Sequence, residues 1–302
     1  MLQIVINVMV PVVLIGGFGF IFQRTIRPSI AGINQLVFYV GAPALTFSSL
    51  SRTQISGNEV SQIAVYSLLY IVAMIVFSLG ISTVLRWERD VSRAFIVTMM
   101  QINGNYAFSV ALLALGQEGL DRAVIFNVVQ GTVGGIIAMF FASNSTEGVK
   151  ESILAVLRRP TLYATFLAVL MNVFSLHFPV PVQSAVDMLG ASNIPLVLVI
   201  MGMQMGIGLD LDAPVATGVA VFVRLFGSVA LAYVLTGLVG MEGLSRHVML
   251  LYAAMPTAIM ATVIATEFNA RPRFVAGVVV ITTALSVVTV SLWLIVLAIA
   301  FT

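Results

Sequence analysis

Ten long stretches of the sequence carry almost no charge, and this pattern constrains the fold more than any other feature. Each is roughly 20 residues long, the length of α-helix that crosses a hydrocarbon core of about 30 Å. Because lipid offers no hydrogen-bond partners, each backbone amide must be satisfied within its own segment. We therefore predict an all-α membrane protein with ten transmembrane helices, at 4–22, 30–51, 62–85, 94–116, 122–143, 161–178, 191–209, 214–240, 248–266 and 274–301.

The composition excludes several other classes of protein. Hydrophobic residues make up 60% of the chain and charged residues only 9%, whereas soluble domains have about 25% charged residues. Cysteine is absent, which excludes disulfides and thiolate metal sites. His177 and His247 lack neighbours at metal-ligand spacing. The sequence therefore predicts no metal, no cofactor and no nucleic-acid partner.

The basic residues predict the orientation in the membrane. With the N-terminus outside, the outer connectors hold only Arg52, Arg122 and Arg246. Cytoplasmic loops are the ones enriched in Lys and Arg. We therefore expect a cytoplasmic (inner) membrane protein with both termini outside. The inner connectors then hold Arg24, Arg27, Arg86, Arg89, Arg93, Lys150, Arg158, Arg159, Arg271 and Arg273.

The two halves of the chain correspond at an offset of about 152 residues. Pro43 in the second span maps onto Pro195 in the seventh, and Asn105 in the fourth maps beside Thr257 in the ninth. An odd number of spans in each half makes the second half enter the membrane from the opposite side. This is the inverted repeat common among secondary transporters. The predicted units are the repeat 1–143, a cytoplasmic linker 144–160 and the repeat 161–302.

The fourth span contains the triplet Asn103, Gly104 and Asn105 near the middle of the membrane. Glycine weakens a helix, and asparagine competes with it by bonding to nearby backbone. An opened helix exposes amide donors and a positive dipole end, which attract an anion. The alternative is ordinary hydrogen bonding between buried helices.

The ninth span contains Met255, Pro256 and Thr257 at a matching depth. Proline removes one intrahelical hydrogen bond and clashes with the preceding turn. Two interrupted helices at corresponding positions of the halves are the best sequence indication of a midplane binding site.

These motifs also resemble a known family. The segments Gln101–Tyr106, Ala253–Ala258 and Leu36–Leu45 are similar, in their order and spacing, to motifs of the auxin efflux carriers. The resemblance implies a fold related to the bile-acid sodium symporters, with broken, crossing helices 4 and 9. It also implies a scaffold of helices 1, 2, 6 and 7, and a transport domain of helices 3, 4, 5, 8, 9 and 10 that moves as an elevator.

The resemblance further implies the substrate class and some site residues. Bacterial members are associated with dicarboxylates such as malate and malonate. The resemblance supports a substrate role for Gln130, for which helix packing by the small residues around it is the alternative. Tyr106, at the end of the Gln101–Tyr106 motif, is also predicted to bind substrate. The chain departs from the family where Ser109 replaces a common proline and Ala107 a common glycine. Its third span also lacks the charged pair of plant members, which argues against auxin as substrate.

Arg224 is the one cation that lies well inside a predicted span. Charges within a membrane are costly and indicate function by default. The side chain either draws an anion towards the site or extends to the cytoplasmic face.

The leading hypothesis is a secondary transporter that binds a small organic anion where helices 4 and 9 cross. Its partners would be the anion, membrane lipid and a coupling ion, H⁺ or Na⁺. A homodimer is one possible assembly. The alternatives are a sodium-coupled symporter of the bile-acid type and a channel or sensor. A membrane enzyme is disfavoured because the spans lack a constellation of acids, bases or metal ligands.

Overall fold

The computed structural model describes residues 2–143, 153–154, 157–206 and 212–300, and nearly all of them are helical. Within these ranges there is no β-strand, and the only β-type pairing is one isolated bridge between Ile102 and Thr257. The prediction of an all-α fold is confirmed for the described part of the chain.

Eleven helices follow one another in the described ranges. Seven of them (α1, α2, α3, α5, α7, α8 and α11) are long and apolar enough to cross a membrane by length and composition, so the chain is a multi-pass membrane protein. The helices are α1 Leu2–Thr25, α2 Ile30–Leu50, α3 Gly57–Val84, α4 Arg89–Met100, α5 Gly104–Ser143, α6 Pro160–Val173, α7 Val180–Gly206, α8 Pro214–Leu238, α9 Gly243–Ala253, α10 Met260–Glu267 and α11 Pro272–Ala300.

Short non-helical segments interrupt the chain inside the protein at two places. Residues 101–103 separate α4 from α5, and residues 254–259 separate α9 from α10. Both interruptions fall where the sequence indicated them, at the Asn103 to Asn105 triplet and at Pro256. Each places helix ends inside the protein.

The structure differs from the sequence prediction between residues 116 and 122. We expected a polar connector from Gln117 to Arg122, but this segment is helical and belongs to α5. The change of direction occurs at Gly116 alone, with φ 70° and ψ −166°. Glycine adopts positive φ at little cost, so one residue turns the chain where the charge pattern suggested a loop.

Most of the predicted linker 144–160 lies outside the described residues, namely residues 144–152 and 155–156. Residues 207–211, which contain the end of the predicted span 191–209, also lie outside them.

Close helix packing joins α1 to α7. A Cβ atom added to Gly19 would overlap the backbone of Val199, and one added to Gly202 would overlap the backbone of Gly16. Small residues let helix backbones approach closely in a membrane, where packing rather than hydrophobicity drives association. The glycines on α1 and α7 therefore set the distance between these helices.

Replacing Gly19 with alanine should lower stability, because α1 or α7 would have to move to make room. We expect Gly19→Ala to cost about 1–3 kcal/mol, the usual range for overpacking. The measurement is the thermal unfolding midpoint of the purified protein in detergent. Gly17→Ala is the matched control, since nothing lies within 4 Å of its added Cβ; equal midpoints for the two variants would contradict this account.

Candidate functional site

The two helix interruptions lie against each other and pair through their backbones. The Asn103 amide donates to the Pro256 carbonyl at 2.9 Å, and the Ala258 amide donates to the Gln101 carbonyl at 2.8 Å. Together they form the antiparallel bridge between Ile102 and Thr257. Each interruption thus supplies hydrogen-bond partners that the other lost when its helix stopped.

Side chains satisfy further backbone groups beside the bridge. Gln130 Nε2 donates to the Met100 carbonyl at 3.0 Å, and Thr257 Oγ1 donates to the Thr98 carbonyl at 3.2 Å. The last four carbonyls of a helix have no partner within it. Both contacts therefore stabilise the end of α4.

Arg224 binds the ends of both interrupted helices. Its side chain is fully buried, with 0% exposure. Nη1 donates to the Met99 carbonyl at 3.0 Å, and Nη2 donates to the Ala253 carbonyl and the Tyr70 hydroxyl, each at 3.0 Å. A helix C-terminus carries about half a negative charge. One guanidinium thus lies between the negative ends of α4 and α9.

The helices that begin after the interruptions present their N-termini to a cavity of about 410 Å³. Asn103 caps α5 by accepting from the Tyr106 amide at 3.1 Å. The backbone amides of Asn105, Ile259 and Met260 have no acceptor within the described part of the chain, as expected for the first turn of a helix. All three residues line the cavity.

The remaining walls of the cavity come from α2, α5, α6 and α7. Arg159 is the one charged residue among the described lining residues, and none of them is acidic. Polar neighbours that share the lining are Asn34, Gln35, Thr46, Gln101, Asn127, Thr132, Thr161, Thr165 and Gln204. The cavity therefore combines one full positive charge with the positive ends of two helices.

Gly104 fits between α5 and its neighbours because it has no side chain. A Cβ atom there would overlap Asn127 Oδ1 and the Tyr252 hydroxyl, which themselves form a hydrogen bond of 2.6 Å. The glycine thus serves a close approach as well as the helix interruption.

The structure separates the predicted site residues into two groups. Asn103, Gly104 and Asn105 line the cavity. The others are buried behind it and are not among its described lining residues: Tyr106, Gln130, Met255, Pro256, Thr257 and Arg224.

Arg224 matches neither role that the sequence left open. It does not reach a surface, because its side chain is fully buried. It is also absent from the described lining of the cavity. Its guanidinium instead holds helix ends together.

Sequence reasoning missed Arg159 and Asn127 as cavity residues. The sequence indicated Arg159 only as a basic residue of the cytoplasmic linker. In the fifth span it indicated Gln130 and not Asn127. Burial lowers the pKa of the Arg159 guanidinium, with the Tyr39 hydroxyl opposing that shift. An arginine nevertheless stays protonated at neutral pH. A basic residue directly before the helix-starting Pro160 was the one available signal.

Replacing Arg224 with methionine should destabilise the protein, because the Met99 carbonyl and the Tyr70 hydroxyl lose this donor and the Ala253 carbonyl keeps only that of Ser228. Each unsatisfied buried group costs about 1–3 kcal/mol, so we expect a loss of about 3 kcal/mol or more. The thermal unfolding midpoint in detergent measures it. Arg89→Met removes an exposed arginine from α4 and should leave the midpoint nearly unchanged; a similarly small effect of Arg224→Met would contradict the assigned role.

Comparison with known proteins finds similarity to membrane transporters. The family model "Membrane transport protein" matches residues 147–294. An uncharacterized transporter of Methanocaldococcus jannaschii is 23% identical over 299 residues, 96% of each chain. A second, from Methanothermobacter thermautotrophicus, is 25% identical over 281 residues, 88% of each chain.

A third relative is the "Putative malonate transporter" of Rhizobium meliloti. It is 28% identical over 273 residues, which is 86% of this chain and 84% of that protein. The matches to transporters confirm the resemblance seen in the sequence, and they indicate a transport protein rather than an enzyme. Residues 147–294 thus match a family of membrane transport proteins, and most of the chain is similar to proteins named as transporters.

Proposed function

We propose that the chain is a secondary transporter that carries a small organic anion of the dicarboxylate class, such as malate or malonate, across the cytoplasmic membrane. One observation carries the proposal. The described lining of the cavity contains a single cation, Arg159, and no acid. Two helix N-termini face the same space, with amides that have no acceptor among the described residues.

Both the charge of this cavity and its hydrogen-bond donors favour an anion. Each helix N-terminus has about half a positive charge and a set of amides pointing along its axis, which together form an anion site. The Asn105, Ile259 and Met260 amides are donors of this kind. The volume of about 410 Å³ lies within the usual range for small-molecule sites. A small carboxylate would find both counter-charge and hydrogen bonds here.

The relatives support the substrate class. The Rhizobium meliloti protein is named for malonate, a short molecule with two carboxylates. In our proposal Asn103, Gly104 and Asn105 contact one carboxylate. The sequence predicted Tyr106, Gln130, Met255, Pro256 and Thr257 as substrate-binding residues. In our proposal they instead form the buried layer that shapes the two interruptions.

We also propose ten spans in two inverted repeats. α4 and the part of α5 before Gly116 share the fourth span, the part of α5 after Gly116 forms the fifth, and α9 and α10 form the ninth. The support for this arrangement is the pairing of the two interruptions at Ile102 and Thr257. Both termini would lie outside, and the units 1–143, 144–160 and 161–302 keep their proposed roles.

We further propose that transport follows an elevator motion. The cavity is lined on one side by α2, α6 and α7, which belong to the proposed scaffold, and on the other by the interruptions and α5, which belong to the proposed transport domain. A site between two bodies changes its access when one slides against the other. A coupling ion, H⁺ or Na⁺, and assembly as a homodimer complete the proposal.

Transport by proteoliposomes tests the function. Uptake of labelled malonate should saturate with concentration and show counterflow, because a carrier binds its substrate on each face in turn. Flux that rises without saturation would indicate a channel instead. Repeating the uptake with an imposed Na⁺ or H⁺ gradient distinguishes the sodium-coupled symporter from a proton-coupled carrier.

Asn105→Ala removes the side-chain amide and keeps the backbone amide. It should lower malonate affinity by about 10-fold, the value of one hydrogen bond to a charged group. Asn58→Ala is the control, since Asn58 is exposed in the first turn of α3. The measurement is the dependence of the unfolding midpoint on malonate concentration, which follows from mass action. Unchanged affinity and transport in Asn105→Ala would contradict a site at the crossing.

A further inference from the structure

We infer that Arg159 is a specificity-determining residue that binds the second carboxylate of a dianionic substrate. The inference rests on the proposed function and deepens it, since it names the residue that would distinguish a dicarboxylate from a monocarboxylate. Four observations carry it: the position of Arg159, its link to the helix crossing, the charge of the cavity and the geometry of guanidinium.

Arg159 sits at the start of α6, immediately before Pro160, and its half-buried side chain lines the cavity. Nη1 donates to the Gly131 carbonyl of α5 at 3.1 Å. A Cβ atom added to Gly135 would lie 3.6 Å from the same nitrogen. The guanidinium therefore packs against a wide turn of α5 that has glycine on the facing side, and this contact fixes its position.

The same turn of α5 contacts the end of α4. Gln130–Gly134 is a π-helical turn, and Gln130 donates from it to the Met100 carbonyl at 3.0 Å. Gln101 Nε2 lies 3.5 Å from the Gly134 carbonyl. Five residues of α5 thus join Arg159 on one side to the interruption on the other, so the cation and the α5 N-terminus face one space.

The charge balance of the cavity favours a dianion. Two helix N-termini together offer about one positive charge, which suits one carboxylate. Arg159 adds a full charge, and no acidic side chain occurs among the lining residues that the structure describes. A monocarboxylate would leave this additional charge without a counter-ion inside the cavity, whereas a second carboxylate would neutralise it.

The chemistry of arginine suits this task. Guanidinium is planar, always protonated, and presents five donors in a fork that matches a carboxylate. One of these donors bonds to the Gly131 carbonyl. This bond fixes the guanidinium and leaves its other donors for a carboxylate. Arginine also loses less hydration energy than lysine when its charge is buried, because guanidinium is more weakly hydrated than ammonium.

The test compares malonate with acetate, which has one carboxylate fewer. In Arg159→Gln we expect malonate affinity to fall about 10- to 100-fold, the value of a charge-assisted pair, and acetate affinity to change by less than about 2-fold. Arg159→Lys keeps the charge without the fork, so it should recover part of the malonate affinity. Binding to the purified full chain is measured by titration calorimetry and by the ligand-dependent unfolding midpoint.

Arg158→Gln is the matched control, because this neighbouring arginine is exposed and is not among the described lining residues. It should bind both anions like the native protein. The inference would be overturned if Arg159→Gln weakened malonate and acetate equally, or weakened neither. If the native protein bound neither anion, the proposed function itself would fail, which is a different result from native binding that Arg159→Gln leaves intact.

Discussion

The hydrogen bonds from Arg224 to two helix ends are the interaction on which the rest of the structure depends. A buried cation is tolerated in lipid only where it is paired or bonded to backbone carbonyls. Here the Met99 and Ala253 carbonyls accept hydrogen bonds from the guanidinium at the ends of α4 and α9. The charge and the two negative helix ends therefore stabilise one another, and neither would be acceptable in the interior alone.

That arrangement decides what remains available for function. Interrupting two helices in the interior leaves orphan carbonyls on one side of the crossing and orphan amides on the other. Arg224, Gln130 and Thr257 satisfy carbonyls, and the bridge at Ile102 satisfies backbone groups of both interruptions. The amides of Asn105 and Met260 are left facing the cavity. The protein thus satisfies the negative helix ends internally, while the positive ends face the cavity where we propose that the anion binds.

Much of this could be predicted from the sequence, because the features concerned are local. Proline and the Asn103 to Asn105 triplet interrupt helices through their own backbone chemistry, and apolar stretches report lipid exposure directly. The role of Arg224 depends on α4 and α9 meeting in space, and that of Arg159 on α5 presenting a glycine-lined turn. The predicted loop after Gly116 was wrong because the charges there suggested a connector, whereas the chain turns at a single residue with positive φ.

In the proposed mechanism an anion occupies the cavity at the two helix N-termini. The chain contains no cysteine, so one introduced thiol is a unique probe. Ala258→Cys places it in the cavity lining, and Ser184→Cys places a control in a separate cavity near Arg52. Malonate should slow maleimide labelling of Ala258→Cys in proportion to its occupancy and leave Ser184→Cys unaffected. Equal labelling rates of Ala258→Cys with and without saturating malonate would contradict the account.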